Sequence, residues 1–348
     1  MKNQNEFLNC LARSVYVIAE IGINHCGDLE KAKYLIREAK ACGANAAKFQ
    51  TFKTELLIRQ DQPKMPYQHQ NTQPSENQFQ MLKKVELSEA SHRLLQKYAL
   101  EVGIDFISTP YDPMSADLLI KLGLPVLKVA STDTTNIPFL RYLNQLPAFL
   151  IISTGVTEME ELRQSMQAIG VPGNGRIALL HCISNYPAPL EEANLKCIQS
   201  LRQAYECPVG FSDHTDEIEM GAYAVVAGAR IIEKHFTFNK SADGPDHQAS
   251  FTPPELQNYI GQIRRAEKCL GDGLKRVMAS EKAVKVHMQK SLVAKENLEA
   301  GAVLSADNLW TMRPATGISP LAVDQIIGKR INKAKNKFEM IYQEDLDG

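Results

Sequence analysis

VYVIAEIG, residues 15–22, is followed by DLEKAKYLIREAKACG, residues 28–43. The first run is dense in apolar and β-branched residues, the pattern of a strand covered on both faces. The second carries Ala32, Leu35, Ile36 and Ala39 at the i, i+3, i+4, i+7 spacing of one helix face. Together they read as one strand–helix unit, and the same alternation recurs along the chain. Further candidate strands are AAKFQT (46–51), DFISTP (105–110), VLKVAST (126–132), FLIISTG (149–155), IALLHCISNY (177–186), VGFSDH (209–214) and RIIEKHF (230–236). Helix start signals follow several of them: Asp112-Pro113 before MSADLLIKLG, Thr157 with Glu160 three residues on, and Thr252-Pro253 before PELQNYIGQIRRAEKCLG. Eight such units within about 250 residues predict an α/β chain folded as a (β/α)₈ TIM barrel. A doubly wound sheet is the competing arrangement, but the chain has neither G-x-G-x-x-G nor G-x-x-x-x-G-K-[ST].

Composition narrows function by exclusion. A chain of 348 residues, 44% hydrophobic and 23% charged, suits one large domain and a smaller one. A formal net charge of −1 offers no broad basic footprint, so no nucleic-acid partner is expected. Seven scattered cysteines without a Cys-x-x-Cys pair favour reduced thiols and a cytoplasmic location over disulfides or a zinc–thiolate site. The amino-terminal MKNQNEFLNCLARSVYVIAE is interrupted by Glu6 and by asparagines and makes a poor signal peptide. No run approaches the roughly 20 apolar residues of a membrane span, so no membrane partner is expected.

In a barrel of this kind, function collects at the carboxyl ends of the strands. Those ends carry Glu20; Lys48 and Gln50; Thr109; Lys128 and Ser131; Ser153; Asn185 and Tyr186; Ser212 and His214; and Glu233 and His235. Any one of them has a bland reading: a serine or threonine caps the next helix, and a lone histidine is a hydrogen-bonded structural residue. Polar groups at all eight ends favour a site. The stretch GARIIEKHFTF (228–238) is the sharpest case, because Glu233, Lys234 and His235 interrupt an otherwise apolar strand. Buried charge costs several kcal/mol unless it is paired, metal-bound or chemically needed. His214 and His235 close neighbouring strands, about 4.8 Å apart in a sheet, so two imidazoles can share one ion. Two nitrogen ligands with open positions suit Mn²⁺ or Mg²⁺ better than closed structural zinc. Lys48 and Lys128, with Thr109, Ser131, Ser153, Asn185 and Ser212, suit a small dianion carrying phosphate and carboxylate. A lysine Schiff base is the rival reading, made less attractive by the paired histidines.

The strings IAEIGINHCGD, AAKFQTFK, FISTPYD, LKVASTDTTNIPFL, IISTGV, LLHCISNYPAP, GFSDHT and EKHFTFNKSADGPDHQAS resemble, in order and nearly end to end, the N-acetylneuraminate (sialic acid) synthase family, which includes legionaminic acid synthases. The tail SLVAKENLEAGAVLSADNLWTMRPATGISPLAVDQIIGKRI is similar to that family's small antifreeze-like (SAF, β-clip) domain. The resemblance implies a catalytic barrel over 1–271, a linker over 272–290 and the antifreeze-like domain over 291–348. It implies condensation of phosphoenolpyruvate with an open-chain N-acylated hexosamine, typically N-acetylmannosamine, with C–O cleavage and release of phosphate. Legionaminic acid synthases, which take a diacetamido trideoxy sugar, are the alternative. By the same carry-over, His214 and His235 hold a divalent metal. Lys48, Thr109 and Ser212 hold the phosphoenolpyruvate carboxylate; Lys128, Ser131, Ser153 and Asn185 hold its phosphate. Glu20 and Glu233 handle the proton and orient water. Gln50, Tyr186 and Asp246 contact the sugar, as does Asn71 in the long Gln/Asn-rich connection after the second strand. Arg313 in TMRPATG reaches the sugar site of a second subunit, making a domain-swapped homodimer. The chain departs from the family pattern at Thr132 and Asp133, where relatives commonly have Gly and Glu, and at His25-Cys26-Gly27, where they have His-Asn-Gly. Two other classes compete: a Schiff-base retro-aldol lyase and a non-catalytic sugar-binding or antifreeze module.

Overall fold

A computed structural model describes every residue except 1, 2, 66, 67, 69–71, 74 and 348, so Asn71 lies outside the described residues. The chain forms two compact units, Met1–Gly271 and Asp272–Gly348. The first is the expected barrel. Strands β1 (Tyr16–Gly22), β2 (Ala46–Thr51), β3 (Asp105–Pro110), β4 (Val126–Val129), β5 (Phe149–Ser153), β6 (Ile177–Cys182), β7 (Val209–Asp213) and β8 (Ile231–His235) close in sequence order. All pairings are parallel, and β8 returns to β1.

Local chemistry sets the boundaries. The helix Leu29–Ala41 starts at Asp28, whose carboxylate accepts from the N–H groups of Glu30 and Lys31 at 2.8 and 3.2 Å. Its stripe of Ala32, Leu35, Ile36 and Ala39 is buried. Asp112 caps Pro113–Lys121 and Thr252 caps Pro253–Leu270, as their proline-led starts imply. One start differs. The helix Met159–Ala168 begins one residue later than the Thr157–Glu160 spacing suggests, with the Glu158 N–H donating to the Glu161 carboxylate at 2.9 Å. The Thr157 hydroxyl instead donates to the Gly155 carbonyl at 2.9 Å. Several strands are also shorter than expected, β4 and β6 most of all. β4 ends at Val129 because Ser131–Asp133 turns into a 3₁₀ segment. β6 ends at Cys182, leaving Asn185 and Tyr186 in the connection before Pro187, which has no N–H for a ladder.

Alternation along the strands divides the barrel interior into two levels. Tyr16, Ile18, Ala46, Ile107, Val126, Phe149, Ile151, Ala178, Leu180 and Ile231 fill the lower level. A ten-residue helix, Gln4–Arg13, closes the floor: Phe7 is fully buried, with its ring 5.0 Å from those of Tyr16 and Phe149 in edge-on contact. Phe7→Ala is therefore expected to lower the unfolding free energy by about 3–5 kcal/mol in urea melts. A loss below about 1 kcal/mol would show that this helix does not seal the floor.

In the second unit, β9 (Ser291–Ala294) and β10 (Leu309–Met312) pair antiparallel over a core containing Leu292, Leu304, Ile318, Ile331 and Ile341. A helix, Ala279–Met288, precedes β9, and none of its residues is buried. Among the described residues no helix is long and apolar enough to cross a membrane.

Candidate active site

The upper level of the interior is polar because the same inward positions, two residues further along most strands, carry the strand-end groups; β6 carries Cys182 there. Glu20 stands opposite Lys48 across β1–β2 and opposite His235 across β1–β8; Ser212 stands opposite Glu233 across β7–β8. Glu20, Lys48, Thr109, Lys128, Ser153, Ser212, His214 and Glu233 are all buried. Lys48 Nζ lies 2.7 Å from Glu20 Oε2 and 3.7 Å from Glu233 Oε2, and donates to Thr109 Oγ1 at 3.1 Å. Lys128 Nζ donates to Ser153 Oγ at 2.5 Å and lies 3.8 Å from Glu233 Oε1. That carboxylate oxygen also accepts from Ser212 Oγ at 3.0 Å. Gln50 Nε2 donates to Glu20 Oε1 at 3.3 Å.

Two lysines and two glutamates thus share one buried chamber, and the environment separates the carboxylates. Burial pushes Glu20 up to about 7, with Lys48 opposing and Glu233 adding to the rise. Burial also acts on Glu233, but Lys128 and Lys48 outweigh it and hold that group below the usual carboxylate range. Lys48 behaves likewise: burial disfavours its charge, yet Glu20 and Glu233 hold its pKa above the ordinary lysine value. For Lys128, burial prevails over Glu233 and lowers the pKa. Asp246 belongs to the same electrostatic environment, its carboxyl pushed up to about 6 by burial against the pull of Lys48.

The two histidines sit beside this chamber with ring centroids 5.5 Å apart, and the Tyr186 ring lies 4.3 Å from His214 and 5.7 Å from His235. His214 Nδ1 donates to the Ile183 carbonyl at 2.6 Å, which leaves Nε2 with a lone pair. His235 Nδ1 is buried and, among the described residues, has no hydrogen-bond partner. Burial keeps both rings neutral: His214 falls to about 4 and His235 well below its ordinary value. Neutral imidazoles, one with a fixed tautomer and one with an orphaned buried nitrogen, fit a divalent cation. Among the described residues no group of three or more His, Cys, Asp and Glu side chains is placed to ligate. Two nitrogen donors leave most of a divalent ion's coordination positions open, so the donor set matches an ion with exchangeable positions rather than a closed cage.

Other sequence-predicted residues fall less uniformly. Ser131 Oγ accepts from the Gly155 N–H at 3.0 Å and lies 3.2 Å from Cys182 Sγ. Asn185 is exposed, and its Oδ1 accepts from the Tyr186 N–H at 3.0 Å. Thr132 is exposed and Asp133 half-buried. Arg313 belongs to the second unit, where it is exposed and donates from Nε to the Met288 carbonyl at 3.0 Å. Two residues escaped sequence reasoning. A Cβ on Gly155 would lie 2.2 Å from Ser184 Oγ and 2.9 Å from Ser131 Oγ and Cys182 Sγ. Gly155 and Ser184 thus complete a hydroxyl-lined cradle beside Ser131, and the only sequence signal was that both sit just past adjacent strand ends.

Buried cations, carboxylates and hydroxyls gathered at the carboxyl ends of eight parallel strands define the class, a barrel enzyme. The chain belongs to the NeuB family, whose model matches residues 35–275; the SAF domain model matches residues 289–347. It is 42% identical to the N,N'-diacetyllegionaminic acid synthase of Legionella pneumophila, over 91% of this chain and 90% of that protein. It is 34% identical to the human N-acetylneuraminate-9-phosphate synthase, over 95% of this chain and 92% of that one. Among solved structures, the N-acetylneuraminic acid synthetase of Leptospira borgpetersenii superposes with a TM-score of 0.70 at 34% identity, covering 78% of this chain and 90% of that one.

Proposed function

We propose that this chain condenses phosphoenolpyruvate with an N-acylated amino-sugar aldehyde to give a nonulosonic acid and phosphate. The observation that carries the reading is the arrangement of Lys48 and Lys128 on either side of Glu233, each with its own hydroxyl partner. One cation with Thr109 and Ser212 suits a carboxylate. The other, with Ser153 and the Ser131–Gly155–Ser184 cradle, suits a phosphate.

Held at both ends, the donor presents C3 of its double bond to the aldehyde carbon, and the new C–C bond leaves C2 electron-poor. Water adds to C2, the C2–O bond to the bridging oxygen breaks, and phosphate leaves. The attacking water loses two protons, one of which ends on the aldehyde oxygen and the other on the departing phosphate. Glu20, gripped by Lys48 and Gln50, is the group we assign to proton handling; Glu233, flanked by both lysines and Ser212, orients the water. His214 and His235 would hold the divalent cation, which supplies Lewis-acid polarisation of the sugar aldehyde. Gln50, Tyr186 and Asp246 stand beside these groups as sugar contacts. We assign Arg313 to the partner subunit's site in a homodimer. The exposed apolar residues Val284, Val286 and Met288 before it are consistent with a surface covered by a second copy.

For the acceptor, similarity favours 2,4-diacetamido-2,4,6-trideoxymannose, because the legionaminic acid synthase relative shares 42% identity against 34% for the human sialic acid enzyme. N-acetylmannosamine is the second reading, supported by the match to the Leptospira structure. The test is phosphate release from phosphoenolpyruvate after EDTA treatment and return of Mn²⁺, with each sugar in parallel. Release is expected only with metal, and faster with the diacetamido sugar. Release that is unaffected by EDTA would contradict the role given to His214 and His235, while equal rates would contradict the acceptor assignment.

A further inference from the structure

Residues of β7 and β8 that point away from the chamber face the surrounding helices and should be apolar. Asp213 and Lys234 break that rule directly opposite each other in register, with both side chains fully buried. Neither enters the chemistry above. Lys234 Nζ lies 3.3 Å from Asp213 Oδ2 and 4.1 Å from the centroid of the Phe251 ring, and it donates to the Thr215 carbonyl. Asp213 accepts from the Tyr259 hydroxyl at 2.8 Å, the Thr215 N–H at 2.9 Å and the Thr215 hydroxyl at 2.8 Å.

Such a buried pair gives no general gain in stability over apolar residues of similar volume, so stability alone does not account for it. The direction of its bonds does. They grip the two residues that flank His214, from both the N–H and the carbonyl side of Thr215. On the β8 side, Phe251 lies under the lysine and donates its N–H to the His235 carbonyl at 2.8 Å. Tyr259 packs edge-on against Phe251 at 5.4 Å and fills the space over Gly221, where a Cβ would lie 2.5 Å from its ring. That contact requires glycine and holds the helix Met220–Val226 close behind β7.

We infer that Asp213, Lys234 and Tyr259 are positioning residues: a polar clamp behind β7 and β8 that fixes the spacing and orientation of the His214 and His235 rings and thereby sets their affinity for a divalent cation. The inference rests on reading those histidines as cation ligands. It is tested in the full-length chain with the double variant Asp213→Leu/Lys234→Met, which removes both charges together, by thermal unfolding and by titration with Mn²⁺ followed through the electron paramagnetic resonance of the free ion. The expected result is a Tm lowered but with cooperative unfolding kept, because Thr215 and the Tyr259 hydroxyl lose buried partners, and Mn²⁺ affinity weakened about 10- to 100-fold in the folded protein. Unchanged affinity in the folded variant would reduce the clamp to a packing feature and overturn the inference. If the double variant does not fold, Tyr259→Phe removes a single hydroxyl: several-fold weaker Mn²⁺ binding at unchanged Tm supports the clamp, and unchanged binding overturns it. A parent that turns over without taking up Mn²⁺ would remove the cation site, and the clamp's purpose with it.

Discussion

Lys48→Met is expected to lower kcat/KM for phosphoenolpyruvate by about 10³-fold, on the order of 4 kcal/mol, the scale for truncating one member of a buried, hydrogen-bonded charge set. Lys48 is the cation between Glu20, at 2.7 Å, and Glu233, at 3.7 Å. Without it, two carboxylates share a buried chamber that must also admit an anion. The donor is repelled, and the fold loses about 3–5 kcal/mol because a buried charge is left uncompensated. Stability and activity separate in the double variant Lys48→Met/Glu20→Gln. Removing the stranded carboxylate should restore most of the stability, while turnover stays low because the donor's carboxylate still lacks its cation. Recovery of activity along with stability would show that Lys48 is a structural counter-ion only.

Glu20→Gln is the second large effect: kcat should fall about 10²- to 10⁴-fold, the range for loss of a general acid–base group, with KM for phosphoenolpyruvate changed only a few-fold. Glutamine preserves the shape and leaves Lys48 bound to Thr109 at 3.1 Å. It cannot carry a proton. Steady-state kinetics at saturating acceptor separate the two parameters; a loss confined to KM would assign Glu20 to donor binding instead.

The barrel was legible because each strand is an apolar run bounded by turn residues and each early helix shows its buried stripe, as Ala32, Leu35, Ile36 and Ala39 do. Most of the chamber was legible for the same reason: a period of two places Glu233 and His235, or Ser212 and His214, on one face. Illegible features depend on distance in three dimensions. The floor helix Gln4–Arg13 buries only Phe7 and Leu11, too little apolar pattern to stand out in a polar segment. Gly155 meets Ser184 through the register of β5 and β6, which no local spacing records. The exposed Asn185 turns to the Tyr186 backbone, a local hydrogen bond that competes with any outward role. Lys234 was visible as a charge in the β8 run, but its partner Asp213 emerges only from the pairing of β7 with β8.

The central claim is that phosphate leaves phosphoenolpyruvate by breaking the bond between C2 and the bridging oxygen. The decisive measurement uses donor labelled with ¹⁸O at that bridging position, the preferred acceptor and Mn²⁺, followed by mass spectrometry of both products. The account predicts that the label appears in inorganic phosphate and is absent from the nine-carbon acid. Label retained in the organic product, with unlabelled phosphate released, would mean cleavage at phosphorus and would contradict the assignment of the chamber to C–O cleavage and carbon–carbon bond formation.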